Sequence, residues 1–310
     1  MKKNNLLGMN LQFFASQNFP ETGLQTQTTL GNFVEKSVDY SYRFADELTG
    51  FLDALGITRQ FAVQEGFKIK QYGKPEVDLK DGNVPEGEII PLSKVTPKEV
   101  SEKEITLNKY RKATSAEAIQ RFGLDQAVNI TDEALVKEIQ KGVRDNLFGT
   151  LQAGQATPNL NDTNGLQGAL ATAWGALNTV FEDDAVRVVA FANPMDVAQA
   201  LADKEITLET QFGLNYYTSA TGTVVFSTTQ VAIGSIYATA PENLQLAFIP
   251  ANGEAGRAFG LTADSTGFMG MKHFLHDESA TQQTLIMSGI LIFPERVDGV
   301  VKVPLINLEG

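Results

Sequence analysis

The stretch from Arg59 to Lys112 lies between two helical patterns and constrains the fold more than any other part of the chain. It reads as a long, polar, two-stranded arm. On one side, which runs from Phe61 to Tyr72, apolar and polar residues alternate through Phe67, Lys68, Ile69, Lys70, Gln71 and Tyr72. That is the period-2 signal of a strand. The other side runs from Glu88 to Val95 and then from Glu104 to Tyr110, and between the sides lies Asp81–Gly87, rich in turn formers. A hairpin this polar buries little apolar area and is marginal in water by itself. A compact domain seldom carries so long a segment without a function for it. The arm is therefore expected to lie on something else, and a second copy of the same chain is the natural candidate.

The rest of the chain can supply a core. Its 310 residues are 43% hydrophobic and 20% charged, a globular balance with room for one large domain or two smaller ones. The formal net charge of -12 argues against a dedicated nucleic-acid binder, which needs clustered Lys and Arg to neutralise phosphates. It leaves open a protein that surrounds nucleic acid without gripping it. There are no cysteines, so disulfides, thiolate metal sites and cysteine nucleophiles are excluded. No apolar run approaches the ~18 residues of a membrane-spanning helix. At the N-terminus Asn10 and Gln12 interrupt the apolar residues, so an extended arm is expected there rather than a signal peptide.

Helical periodicity appears first between Gly31 and Leu55. Val34, Val38, Ser41, Ala45, Leu48, Leu52 and Leu55 form one stripe, with Gly56 as a stop. Packing on the chain's own core and packing on a neighbouring subunit both fit this stripe. After the arm, Ala113–Gly123 reads as a short helix. A long one follows, with Thr131 as N-cap, Asp132 and Glu133 at the positive end of its dipole, and Leu135, Ile139, Val143, Leu147 and Leu151 recurring every fourth residue. From Asn161 onward the texture is mixed α/β. Leu166, Leu170, Trp174 and Leu177 mark a helix, and Val186–Phe191 a buried strand. Asn193 with Pro194 opens another helix, whose apolar face is Val197, Ala200 and Leu201. Strands are expected at Thr223–Ser227, Ser235–Thr239 and Asn243–Ile249, then a loop over 250–266. Closing strands follow at Gly267–Phe274, Thr281–Ile286, Ser288–Phe293 and Val300–Leu305, with a turn at Pro294–Gly299.

Catalytic and metal-binding patterns are missing. The two histidines, His273 and His276, fall on opposite faces of an alternating strand and read as structural or surface residues. No nucleophile elbow, phosphate loop or dinucleotide fingerprint is present, and Gly267 and Gly270 sit in a strand pattern. The carboxylate runs Glu182–Asp184 and Asp277–Glu278 read as solvated loop charges, and Asn161–Gly165 as a turn too short for an EF-hand loop. No catalytic, cofactor-binding or metal-ligating residue is expected, and the weight shifts from an enzyme to a structural role.

The order of parts resembles the HK97-fold major capsid proteins of tailed bacteriophages. Asn10-Leu-Gln-Phe-Phe-Ala15 is similar to the start of many such proteins from phages of Gram-positive hosts. Glu86-Gly-Glu-Ile-Ile-Pro-Leu-Ser-Lys94 resembles the return strand of their extended loop. Lys109–Ser115 and Glu117–Gly123 resemble the entry to their spine helix, and Gly289–Gly299 their closing strands. Each piece is weak alone; their order and spacing are more specific.

The resemblance implies an α+β, HK97-like capsid fold. It consists of an N-terminal arm and helix over residues 1–56 and an extended loop over 57–112. Residues 113–160 and 256–287 form a peripheral domain with its spine helix, and 161–255 and 288–310 an axial α/β domain. It implies self-assembly into hexamers and pentamers, an icosahedral shell around double-stranded DNA without specific binding, and location in the virion after assembly in the host cytoplasm. A portal protein is implied as a partner. A separate scaffolding protein is implied too, because little precedes Asn10–Ala15. An encapsulin-type shell is the nearest alternative, and a soluble enzyme a more distant one. The family's isopeptide cross-link has candidate lysines in Lys68, Lys70, Lys74, Lys80, Lys94, Lys98 and Lys103, and none is assigned.

Overall fold

The apolar stripe between Gly31 and Leu55 becomes α1 (Asn32–Leu55), and it packs on the chain's own core. Ser41, Ala45, Leu48, Leu52 and Leu55 are buried, and Phe44 and Phe51 widen the stripe. Ser41 is tolerated there because its hydroxyl has partners: it lies 2.9 Å from the Ser37 carbonyl oxygen and 3.1 Å from that of Thr262. The structure, a computed structural model, describes residues 32–153, 165–181, 187–202, 206–219 and 221–305. The N-terminal arm with Asn10–Ala15, the Glu182–Asp184 run and residues 161–164 of the Asn161–Gly165 turn lie outside the described residues.

Beyond α1 come β1 (Arg59–Ala62), β2 (Lys68–Tyr72), β3 (Glu76–Asp78), β4 (Lys94–Thr96), β5 (Glu99–Glu104) and β6 (Asn108–Ser115). The return side of the arm differs from expectation: Glu88–Ser93 forms no strand, and Asn108–Ser115 belongs to a core sheet. The short helix α2 (Ala116–Phe122) therefore starts later than predicted, capped by the Ser115 hydroxyl, which accepts from the Ala118 N–H. A π-helical turn, Asp125–Asn129, runs straight into α3 (Ile130–Ala153). Thr131 is therefore no N-cap. It sits inside a continuing helix, with its hydroxyl 2.9 Å from the carbonyl oxygens of both Ala127 and Val128. The predicted stripe of α3 holds: Ile139, Val143, Leu147 and Leu151 are buried.

The remaining elements are α4 (Gly165–Val180), β7 (Val189–Ala192), α5 (Pro194–Ala202), β8 (Glu209–Gln211), β9 (Leu214–Thr218), β10 (Val224–Ser227) and β11 (Ser235–Thr239). They are followed by β12 (Leu244–Ile249), α6 (Glu254–Phe259), β13 (Thr262–Ala263), β14 (Met269–His276), β15 (Thr281–Pro294) and β16 (Val300–Pro304). Asn193 caps α5 as its position suggests, accepting the Met195 N–H at 3.0 Å. The expected loop over 250–266 instead contains α6 and β13.

Among the described residues there are two six-stranded sheets. One has the order β1-β12-β15-β14-β13, with β6 also on β15; the other has the order β16-β11-β7-β10-β9-β8. The strands expected separately at Thr281–Ile286 and Ser288–Phe293 are one 14-residue strand, β15. Ser288 and Gly289 look like a break in sequence, but Gly289 is there for packing. A Cβ on it would come within 2.9–3.1 Å of the Ile249 side chain on the paired strand. The division expected between residues 287 and 288 thus falls inside β15, and β12 shares its sheet with β13 and β14. Of the closing strands, β16 is the one that joins the second sheet, beside β11.

The main core lies between α1, α3 and facing residues of both sheets. A second cluster fills the space between α4, α5 and the other face of the second sheet. One turn ties that sheet to the helices. β8 and β9 are joined by Phe212 and Gly213, both at positive φ, 49° and 72°. A two-residue hairpin turn of this kind favours Asn or Gly, and a phenylalanine there is strained. The ring offsets the strain: it is buried, stacked on Phe51 at 5.2 Å and edge-on to Phe44 at 6.1 Å. Arg144 Nη1 donates to the Phe212 carbonyl oxygen at 2.6 Å.

Phe51→Ala is expected to lower the unfolding free energy of the unassembled chain by about 3–5 kcal/mol, because it empties the centre of this core. Leu79→Ser, on the arm, should change it by less than about 0.5 kcal/mol. Urea denaturation followed by circular dichroism checks both.

Candidate assembly surface

The arm has two parts that differ in what they touch. Its base is the two-stranded β2–β5 ladder, which pairs Lys68 with Glu104 and Gln71 with Ser101. The inward face of the base carries Ile69 and Ile105, which are buried against Ala247, Ile249 and Phe293 of the first sheet. Gln71 is also buried, and its amide is satisfied on both ends. Nε2 donates to the Pro294 carbonyl oxygen at 2.7 Å, and Oε1 accepts from the Ser101 hydroxyl at 2.7 Å. The Tyr72 N–H donates to the Glu295 carbonyl oxygen. The base is thus fixed to the end of β15.

A register shift between Gln71 and Tyr72 separates base from tip. Beyond it the ladder is only the short pair β3–β4, in which Glu76 faces Thr96 and Asp78 faces Lys94. The residues from 79 to 93 form no strand. Here the apolar side chains face solvent: Ile89 is 94% exposed, Leu92 92%, Leu79 79% and Ile90 67%. Single exposed apolar residues are ordinary, but several large ones on one projecting segment mark a docking surface. The arm reads as polar along its length, and the base is; the tip concentrates apolar side chains that the chain's own core leaves uncovered.

The arm lysines divide accordingly. Lys68 pairs with Glu102 at 2.7 Å, Lys70 with Glu99 at 2.9 Å and Lys80 with Asp78 at 2.9 Å, all exposed pairs of small energetic weight. Lys74, Lys94 and Lys98 are exposed and form no ion pair among the described residues, and burial pushes the Lys103 amine below its usual range.

A buried polar cluster underlies the strand that returns from the arm. Asp132, on α3, has no exposed side-chain surface. Its Oδ1 accepts from Lys112 Nζ of β6 at 2.5 Å and from the Thr284 hydroxyl of β15 at 2.9 Å. Its Oδ2 lies 2.7 Å from His273 Nε2 on β14, and His273 Nδ1 lies 2.5 Å from the Ser37 hydroxyl on α1. Four elements meet at this carboxylate, and His273 extends the cluster to a fifth, α1. Burial alone would raise the Asp132 carboxyl, but the hydrogen bonds and charges of His273 and Lys112 outweigh it and hold it below its usual range. Sequence reading assigned Asp132 to the helix dipole and left its partners unnamed, since they lie up to 152 residues away.

Serine, histidine and aspartate stand here in hydrogen-bonded series, an arrangement that in an open cleft would suggest a nucleophile. Ser37 is 1% exposed and the His273 side chain 2%, so no substrate carbonyl can approach the hydroxyl. The series acts as a staple. His276 is exposed on the opposite face and pairs with the Ser279 hydroxyl at 2.9 Å. Asp277 and Glu278 are exposed, in a short 3-10 turn. Gly270 lies where Leu261 and Ala251 pack against its Cα. Among the described residues no group of three or more His, Asp or Glu side chains is placed to hold a metal ion, and no helix is long and apolar enough to cross a membrane.

No protein-family model and no curated protein matches the sequence. Solved structures do match the fold. The capsid of an empty GTA particle superimposes with a TM-score of 0.50 at 10% identity, over 81% of this chain and 88% of that one. A virus-like particle from Pyrococcus furiosus gives 0.49 at 16% identity, over 87% of this chain and 98% of that one. The holo-SrpI encapsulin complex from Synechococcus elongatus PCC 7942 gives 0.49 at 9% identity, over 84% and 89%. At these identities the likeness to the GTA capsid establishes the fold alone. It is the α+β, HK97-like capsid fold that the sequence resemblance implied.

Asp132→Asn is expected to destabilise the chain by on the order of 3 kcal/mol at neutral pH, because Lys112 is left without its buried counter-charge. The Asp132 carboxyl is depressed in the folded state, so its contribution is present above the ordinary carboxylate range. The gap between parent and variant should therefore close as the pH falls through the lowered value. Urea midpoints of both proteins across an acid pH series check the sign.

Proposed function

We propose that this chain is the subunit of a self-assembling shell: a major capsid protein that forms hexamers and pentamers, which close into an icosahedron around double-stranded DNA. The observation that carries the proposal is the arm. Its base is locked to the subunit by Ile69, Ile105 and Gln71, while its tip presents Ile89 and Leu92 almost fully to solvent. A rigid mount with an uncovered apolar end is the form expected of a clamp onto an adjacent copy. A head-to-tail contact of this type closes into rings, as capsomers require. The fold supports the same reading.

The function is mechanical and the chain is not an enzyme in this reading. The work is done by extended surfaces repeated around each capsomer, where interface area and complementarity set the outcome. The net charge of -12 suits an inner wall that encloses DNA without gripping it. A scaffolding protein and a portal belong to the same reading as partners, with the virion as final location and the host cytoplasm as the place of assembly.

Deleting Lys74 to Val95 removes the tip and leaves the docked base. The deletion should give a folded chain, with parent-like circular dichroism, that no longer forms shells by sedimentation and negative-stain microscopy. Shells that form and resist heat like the parent's would overturn the proposal. Nucleic acid content separates the nearest rival: parent particles filled with a protein cargo and free of DNA would reassign the chain to an encapsulin-type compartment.

A further inference from the structure

A cavity of about 250 Å³ opens between α3 and one end of the second sheet. β7 and β10 are parallel neighbours in that sheet, with Val189 paired to Val224 and Ala192 to Ser227. Beyond β7 the chain turns at once into α5, and beyond β10 it runs through Thr228, Thr229 and Gln230. The carboxyl ends of both strands therefore face the same crevice, which is walled on one side by Pro194 and on the other by Arg144 and Phe148. In α/β sheets, ligands bind in crevices of this kind, where the departing connections leave a gap between elements.

Arg144 lines the cavity and is half-buried. Its Nη1 is held by the Phe212 carbonyl oxygen; among the described residues its Nε and Nη2 form no hydrogen bond and the guanidinium forms no ion pair. A Cβ on Gly213 would come 2.9 Å from Nη1, so the glycine that makes the turn also makes room for the cation. Burial pushes the guanidinium below its usual range, with Asp145 and Glu138 acting the other way. An arginine stays charged even so, and a charge withdrawn from water without a counter-charge is costly. Both nearby carboxylates are engaged elsewhere: Asp145 Oδ1 accepts from Gln230 Nε2 at 2.8 Å, and Glu138 pairs with Lys141 at 3.2 Å. The sheet side of the cavity supplies hydroxyls. Those of Ser227 and Thr229 form no hydrogen bond among the described residues. Thr228 is 4% exposed; its hydroxyl oxygen accepts the Gln230 N–H at 3.2 Å, and its proton has no acceptor among the described residues. A buried donor left in this state is costly unless a ligand takes it up.

We propose that this cavity binds a phosphoryl group, held by the Arg144 guanidinium and the hydroxyls of Ser227, Thr228 and Thr229, with exposed Lys141 adding positive charge. The donor set selects the ligand class. A planar guanidinium with donors to spare grips two oxygens of a tetrahedral anion, and the hydroxyls reach the others. A carboxylate has only two oxygens and would leave hydroxyls unused, and a metal cation is repelled by Arg144 and Lys141. Free phosphate or a monoester turns at least three oxygens to these donors, whereas a diester in a nucleic-acid backbone offers two. The site belongs to a single subunit and is independent of the reading of the arm.

The test is titration calorimetry of the full-length chain with three probes at matched ionic strength, with sodium chloride as the blank. The probes are inorganic phosphate, thymidine 5′-monophosphate and an oligothymidylate without terminal phosphates. The first two should bind saturably at one site per chain, and the oligothymidylate should not. Ser227→Ala/Thr229→Ala should keep the parent circular dichroism and weaken phosphate binding by about tenfold or more, through the loss of hydrogen bonds to a charged group. Arg144→Lys should weaken it at least as much, since a point charge replaces a fork of donors. Absence of saturable phosphate binding to the parent would overturn the proposal, and so would parent-like affinity in either variant. Saturable binding of the oligothymidylate at least as tight as that of phosphate would give the cavity to backbone diesters and also overturn it. Arg144 supports the Phe212 turn as well, so if Arg144→Lys does not fold, the serine and threonine variant decides alone.

Discussion

Strand β15 is the element from which the first sheet and the base of the arm take their register. Its first half holds β14 on one edge and β6 on the other, and its second half holds β12. Its last residues receive the base of the arm through Gln71 and Tyr72. One face supplies Ile286, Ile290 and Ile292 to the main core beneath α1 and α3, and the other supplies Phe293 to the arm base. A shift of one residue would exchange these faces, so burial on both sides fixes the pairing strongly. The arm's direction follows from the same strand, since the chain anchors at its end before the tip and runs along its first half afterward.

The Asp132 cluster reinforces this arrangement at the other end of β15. Lys112 arrives from the strand that returns from the arm, Thr284 from β15 itself, and His273 brings β14 to α3. A buried carboxylate satisfied by several donors contributes more to uniqueness of packing than to net stability, because its desolvation offsets much of the attraction. The staple ties β6, the strand that returns from the arm, directly to α3.

The sequence made periodic elements legible and left special contacts hidden. The stripes of α1 and α3 and the Asn193 cap of α5 could be read because local spacing determines them. Phe44 and Phe51 were missed since a stripe counted in alternating fours and threes leaves out its flanks. Ser288 and Gly289 resembled a strand break, yet Gly289 is small to admit Ile249 from the neighbouring strand. Phe212 could not be identified as a turn residue by propensity, because only Phe51 and Phe44 make its left-handed backbone acceptable. The arm itself was legible as a segment too polar to stand alone. Its division into a docked base and a free tip was not, because the docking partners of Ile69 and Gln71 lie near the other end of the chain.

The charge distribution gives the arm's composition a physical logic. In the proposed shell, copies that each carry a net charge of -12 repel one another at long range, which opposes closure. Assembly then requires a short-range attraction that is strong only when two copies are correctly placed. Exposed apolar side chains at the tip supply such an attraction, but alone they would adhere to any apolar surface. Acidic residues beside them add repulsion from an acidic neighbour, so that contact depends on placement. A tip that was apolar without charge would hold more tightly and less selectively. The mixed composition that made this segment look unsuited to a compact domain is the composition that the proposed intersubunit clamp on an acidic protein needs.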